Sequence, residues 1–305
     1  MSLRRYLSIF RPRGVFWRHY LAWAVTNVPW FLESAAMIGW TLLFYLLWAP
    51  GRRAVATNLD AVHAESPKLI NRLRAFRVFL AFAWNFTDAA RFNEIRRMVD
   101  WDFEGYENLE SLCAEPGGAI ILTAHMGNYD LGSYFFAEKI GGKLTTVRVP
   151  EVDPESEEYS RSRRERIADS LRVTYNVSGE AVALEMIGAL GDGGIVAIQG
   201  DRVLGHVASA PSRLFGRPVR LPTGPFVLAM TARVPIYPLF IVRRGMRRYR
   251  VITRAPIRVE RTGRDREKDV ALALEEWRDL LENVIGKHWD QWFAFEPFFE
   301  KTEQA

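Results

Sequence analysis

The apolar run Gly118-Ala119-Ile120-Ile121-Leu122-Thr123 leads straight into Ala124-His125-Met126-Gly127-Asn128 and then into the helix-forming stretch Tyr129 to Ile140. No other segment constrains the fold of this chain as much. Six residues of this kind read as a buried strand. Gly127 and Asn128 tolerate turn geometry, and asparagine caps helices. A buried strand passing through a tight turn into a helix is the building unit of an α/β sheet.

The same alternation continues downstream. Leu144 to Val149 predicts a strand, Glu155 to Leu171 a helix, and Arg172 to Val177 a short strand. A helix over Gly179 to Leu190 leads to a strand over Ile195 to Gln199, then to a loop with strand pieces over Gly200 to Val219. Thr223 to Thr231 reads as a helix, Pro235 to Arg243 and Arg248 to Ile257 as strands, and Val270 to Lys287 as a final helix. Strands alternating with helices predict a largely parallel central sheet flanked by helices. Upstream, residues 51–100 form a helical lead-in, with apolar positions at Leu69, Leu73, Phe76, Phe79, Leu80 and Ala83 and a helix start at Pro67. Residues 51–305 are thus read as one α/β domain.

Residues 1–50 are different. Residues 20–32 and 34–51 carry no charge and are separated by Glu33, and Trp23, Trp30, Trp40 and Trp48 fall among them. Ser34 to Trp48 is shorter than the ~20 apolar residues a span needs, and Pro29 would kink a longer helix. Arg4, Arg5, Arg11, Arg13 and Arg18 on one side and Arg52 and Arg53 on the other suit anionic headgroups. The expectation is an N-terminal helical membrane-associating segment, the alternative a buried helical hairpin. The chain is 49% hydrophobic and 13% aromatic, with a net charge of +5. No nucleic-acid motif accompanies that charge, which favours a membrane surface over nucleic acid. The single cysteine, Cys113, excludes an internal disulfide and a cysteine-based zinc cluster; it reads as a small apolar filler. His19, His63, His206 and His288 show no metal-ligand spacing, so no metal is expected.

The chemistry centres on His125 and Asp130. Five residues along a continuous helix rotate by about 500°, so the two would not share a helix face. With His125 in the turn and Asp130 in the first helical turn, the carboxylate can hold one imidazole nitrogen while the other takes a proton from an alcohol. The alternative for Asp130 is a helix-start acid that favours the dipole.

Taken in order, four blocks resemble the glycerolipid acyltransferase superfamily, and more narrowly the bacterial lipid A biosynthesis acyltransferases and related mannoside acyltransferases. His125-Met-Gly-Asn-Tyr-Asp130 matches the His-x4-Asp/Glu motif, and Thr145-Thr-Val-Arg148 stands at the arginine-bearing block. Gln199-Gly-Asp-Arg202 lies where Pro-Glu-Gly-Thr-Arg is common, with Gln199 for the usual Glu and Asp201 for the usual Thr. Val234-Pro-Ile-Tyr-Pro238 matches the fourth block. The resemblance implies transfer of an acyl group from a thioester of acyl carrier protein or coenzyme A, with no cofactor, to a hydroxyl of a lipid or glycolipid at the cytoplasmic face of a bacterial inner membrane. It implies His125 as general base with Asp130 as orienter, and backbone N–H groups near Gly127 and Asn128 as oxyanion donors. Arg148 and Arg202 become phosphate ligands, the alternative for each being a surface ion pair. Asp201 is carried over with its block, the alternative being a structural partner of an arginine. Arg164 takes an active-site role by analogy. The run Arg161-Ser-Arg-Arg-Glu-Arg166 is either a docking face for acidic acyl carrier protein or a solvated helix face. Two other readings stay open: N-acyl transfer to an amino-lipid, and a non-catalytic lipid-binding protein of the same fold.

Overall fold

The computed structural model describes residues 27–29, 31–139, 143–150, 154–167, 171–176, 179–203, 207–261 and 265–300, with the backbone alone for 159, 163–167, 179 and 180. Helices α1 (Glu33–Leu47), α2 (Ala49–Val62), α3 (Lys68–Ala90) and the short α4 (Phe92–Ile95) precede the sheet. Then follow β1 (Asp100–Glu104), α5 (Tyr106–Ala114), β2 (Ala119–Thr123), α6 (Tyr129–Lys139), β3 (Leu144–Arg148) and α7 (Pro154–Ile167). Next come β4 (Arg172–Tyr175), α8 (Gly179–Gly191), β5 (Ile195–Gln199), β6 (Ser209–Leu214), β7 (Arg217–Pro222) and α9 (Gly224–Ala232). The chain continues through β8 (Ile236–Gly245), β9 (Arg248–Thr253), α10 (Arg266–Lys287) and a 3₁₀ turn, Trp289–Gln291.

The central sheet has seven strands in the order β1-β9-β8-β2-β5-β3-β4. Its neighbours run parallel except for the β8–β9 hairpin. The expectation of a mostly parallel sheet flanked by helices therefore holds. β2 lies near the middle, and Ala119 to Leu122 are buried on both faces, which is why this strand is a continuous apolar run rather than an alternating one. Ile120 and Leu122 join a core beneath α9 and α10, with Phe226, Leu274 and Trp277. Ala119 and Ile121 join the opposite core beneath α5 and α6, with Leu112, Leu131 and Phe136. The loop expected over Gly200 to Val219 contains the β6–β7 hairpin. Its turn residues Phe215 and Gly216 both have positive φ, 50° and 72°, the conformation of a tight two-residue hairpin turn.

Not all apolar positions of the lead-in face the core. Leu69 and Leu73 are 67% and 68% exposed, while the inward face of α3 is Asn71, Ala75, Val78 and Phe79. On α1, Ile38, Leu42, Leu43, Leu46 and Leu47 are also exposed. The two sets are neighbours, since the Tyr45 hydroxyl donates to the Arg72 carbonyl at 2.6 Å and the Tyr45 ring packs edge-on against Phe76. No single described helix is long and apolar enough to cross a membrane; α1 and α2 together reach that composition but are bent by 94°. Residues 1–26, including Trp23 and the first arginine cluster, lie outside the described residues. Cys113 is exposed, not buried filler.

Candidate active site

The site forms beyond the carboxyl ends of β2, β5 and β3, where ligand crevices of parallel sheets lie. β2 and β5 are adjacent and in register, Thr123 opposite Gln199. Gly200 N–H extends the ladder to the Thr123 carbonyl at 2.8 Å. Two residues past the paired position on each strand stand His125 and Asp201, and His125 Nδ1 lies 2.6 Å from Asp201 Oδ1.

Asp201 is fully buried. Burial would raise its pKa, but the charges of His125 and Arg202, with hydrogen bonds from the ring and backbone N–H of His125, outweigh burial and hold the carboxyl below its ordinary range. An ionised Asp201 accepts a hydrogen bond from Nδ1–H, and in a neutral ring held this way the free lone pair is on Nε2. The turn bearing Asp201 is pinned by Trp277, which donates to the Gly200 carbonyl at 3.0 Å and stacks on Phe240. Removing such an indole costs about 3–5 kcal/mol.

The expected pairing of His125 with Asp130 is corrected by this geometry. Asp130 sits in the first turn of α6 and its carboxylate accepts from Arg148, the last residue of β3. Asp130 in turn holds the Arg148 guanidinium firmly protonated against the opposing effect of burial. Tyr129, which the sequence reading passed over, stands edge-on to His125 at 6.2 Å between ring centres. Burial, then the nearby Asp130 charge, pushes its phenol up to about 12, so it remains a neutral hydroxyl. Only its place beside His125 and Asp130 in the motif pointed to it in sequence.

A second correction concerns the oxyanion donors. Gly127 N–H donates to the Gln291 carbonyl and Asn128 N–H to the Ile241 carbonyl, each at 2.8 Å. Neither is open to a substrate. Gly127 has φ 58°, and a Cβ there would lie 1.8 Å from the Ile241 carbonyl oxygen, so the loop rests on the backbone of β8 and only glycine fits. The buried side chain of Asn128 is also committed. Its Oδ1 caps α6 through Leu131 N–H at 3.1 Å, and its Nδ2 donates to the Asn85 carbonyl and the Tyr249 hydroxyl, each at 3.0 Å. Tyr249 in turn donates to Asp88 at 2.5 Å. Both residues shape the loop.

Arg202 contacts Asp201 at 3.5 Å and donates to the Phe293 carbonyl at 3.2 Å. Among the described residues, the Nε–H groups of Arg148 and Arg202 are buried and have no hydrogen-bond partner. Such donors are costly to leave empty. Thus His125, Asp130, Arg148, Asp201 and Arg202 converge on one site. Arg164 lies on α7, with its side chain outside the described residues.

Among the described residues the site thus joins a histidine held by a buried carboxylate to two arginines, at the carboxyl end of a mostly parallel sheet in an α/β protein. Residues 14–301 match the family described as bacterial lipid A biosynthesis acyltransferase, and the chain belongs to that family. It is also similar to the phosphatidylinositol mannoside acyltransferase of Mycobacterium tuberculosis, 27% identical over 146 residues, which cover 48% of this chain and 45% of that protein.

Proposed function

We propose that the protein moves a fatty acyl group from a thioester of acyl carrier protein or coenzyme A to a hydroxyl of a lipid or glycolipid. The observation that carries this reading is the 2.6 Å bond between His125 Nδ1 and the buried Asp201, which readies Nε2 as a base. Nε2 takes the hydroxyl proton as the acceptor oxygen attacks the thioester carbonyl. Asp201 stabilises the resulting imidazolium. The tetrahedral intermediate then expels the thiolate, which recovers the proton from His125. No acyl-enzyme forms. The guanidinium groups of Arg148 and Arg202, partly exposed at this site, supply donors for the anions of the reaction, a substrate phosphate or the oxyanion. The mannoside named for the relative makes a glycolipid hydroxyl the first acceptor to try.

The exposed leucines of α1, with Leu69, Ile70 and Leu73 of α3, form an apolar face flanked by Lys68 and Arg72. That composition suits a lipid surface, and the membrane-associating region then extends beyond residues 1–50. Comparing the lipids of cells with and without the protein by mass spectrometry tests the reading. A lipid one acyl chain heavier only when the protein is present supports it; an unchanged lipid profile overturns it.

A further inference from the structure

β8 outlasts β2. Their pairing ends at Leu122 opposite Pro238, so the rest of β8 needs other partners on that edge. Asn128 N–H takes the Ile241 carbonyl. Two residues on, the side chain of Gln291 does the work of a strand: Oε1 accepts from Arg243 N–H at 2.7 Å and Nε2 donates to the Arg243 carbonyl at 2.9 Å. Gln291 is buried and opens a short C-terminal strap that pairs with the His125 loop. Gly127 N–H donates to the Gln291 carbonyl and Phe293 N–H to the His125 carbonyl, each at 2.8 Å. Met126 lies opposite Trp292 in this antiparallel bridge. The strap also takes the Arg202 donor through the Phe293 carbonyl.

We propose that Gln291 is a positioning residue for the reaction: its amide ties the C-terminal strap to β8, and the strap fixes the backbone on which His125 meets Asp201. Three segments distant in sequence thereby become one rigid support. The loop is short, and its hydrogen bonds on the strap side come from residues 291 and 293. Freeing the strap lets His125 shift, and a displacement on the order of 1 Å at a reacting group is enough to cost about 10²-fold in rate. The effect on turnover rests on the proposed acyl transfer; the effect on the His125–Asp201 bond does not.

The test uses the full chain with ¹⁵N-labelled histidine, and compares wild type, Gln291→Ala, Gln291→Glu and, as a control on the exposed Arg77 ion pair, Asp290→Asn. The glutamate variant keeps the size and one acceptor but sets a carboxylate against the Arg243 carbonyl, and it stands in if the alanine variant does not fold. The Nδ1 proton resonance, assigned by its loss in His125→Ala, should be present in wild type and Asp290→Asn and shifted or lost in both Gln291 variants. With palmitoyl-coenzyme A and phosphatidylinositol mannoside, kcat should fall roughly 10–100-fold while KM for the thioester stays within about twofold. An unchanged resonance in a folded Gln291 variant overturns the proposal, as does a loss confined to KM. Should wild type transfer no acyl group between these two substrates, that donor–acceptor pair is excluded, and the resonance alone decides the role of Gln291.

Discussion

His125 and Asp201 are 76 residues apart in the chain, yet their side chains meet at 2.6 Å. Each lies two positions past a register pair on neighbouring parallel strands. The bond follows from the adjacency and register of β2 and β5. Asp201→Asn should keep the shape of the site while removing the charge that selects the tautomer and supports the imidazolium. We expect kcat to fall roughly 10²–10⁴-fold with an intact circular dichroism spectrum. A variant with near-wild-type kcat would remove Asp201 from the mechanism.

Asp130→Asn is expected to act differently. It releases Arg148 from its ion pair and leaves the His125–Asp201 bond in place. The loss in kcat should be at least about tenfold smaller than for Asp201→Asn, with the larger change in the KM of the phosphate-bearing substrate. Steady-state kinetics of the two variants side by side decide this. Equal losses in kcat would return Asp130 to the role of orienter.

Acid stability should carry the mark of Asp201. Its folded pKa is lowered, so the unfolded chain takes up the proton first as pH falls. The stabilisation is full above the unfolded carboxyl value of ~3.9 and is lost as pH drops through it toward the lower folded value. Asp88 has the opposite sign: burial raises its pKa, so its ionised form lowers stability as pH rises through the same unfolded value. Urea unfolding between about pH 5 and 2.5 should therefore show a flatter acid loss in Asp201→Asn and a steeper one in Asp88→Asn. Parallel curves for all three proteins would contradict both assignments.

The apolar face makes a prediction about lipid. Leu69→Glu with Leu73→Glu alters two exposed side chains, so the fold and its melting temperature should be preserved. Burial of one leucine is worth about 1.5–3 kcal/mol, so binding to anionic vesicles should weaken roughly 10²-fold or more. Turnover of a short-chain soluble acceptor should not change. Undiminished vesicle binding by the double variant would place the contact elsewhere.

What was legible in the sequence was local. The apolar run of β2, the Gly127-Asn128 turn and the start of α6 are visible because each rests on neighbours within a few residues. The partnership of His125 with Asp201 is not. It needs β5 to insert between β2 and β3, a tertiary choice that the alternation of strands and helices leaves open. The resemblance brought Asp201 into the site without saying what it touches. The commitment of the Gly127 and Asn128 N–H groups was hidden for a similar reason, since it depends on the overhang of β8 and on residues 291–293. Helical periodicity found α3 but did not say which way Leu69 and Leu73 point. A period shows that apolar residues share a face, not whether that face meets protein or lipid.

The most direct measurement supplies purified protein with ¹³C-labelled palmitoyl thioesters of coenzyme A and of acyl carrier protein and with a bacterial membrane lipid extract, followed by mass spectrometry of the lipid and assay of released thiol. Wild type should yield one acylated lipid per thiol released. His125→Ala, folded as wild type, should be slower by roughly 10²–10⁴-fold, the contribution of a positioned general base. Turnover by His125→Ala equal to wild type, or thiol release without a labelled lipid, would contradict the account.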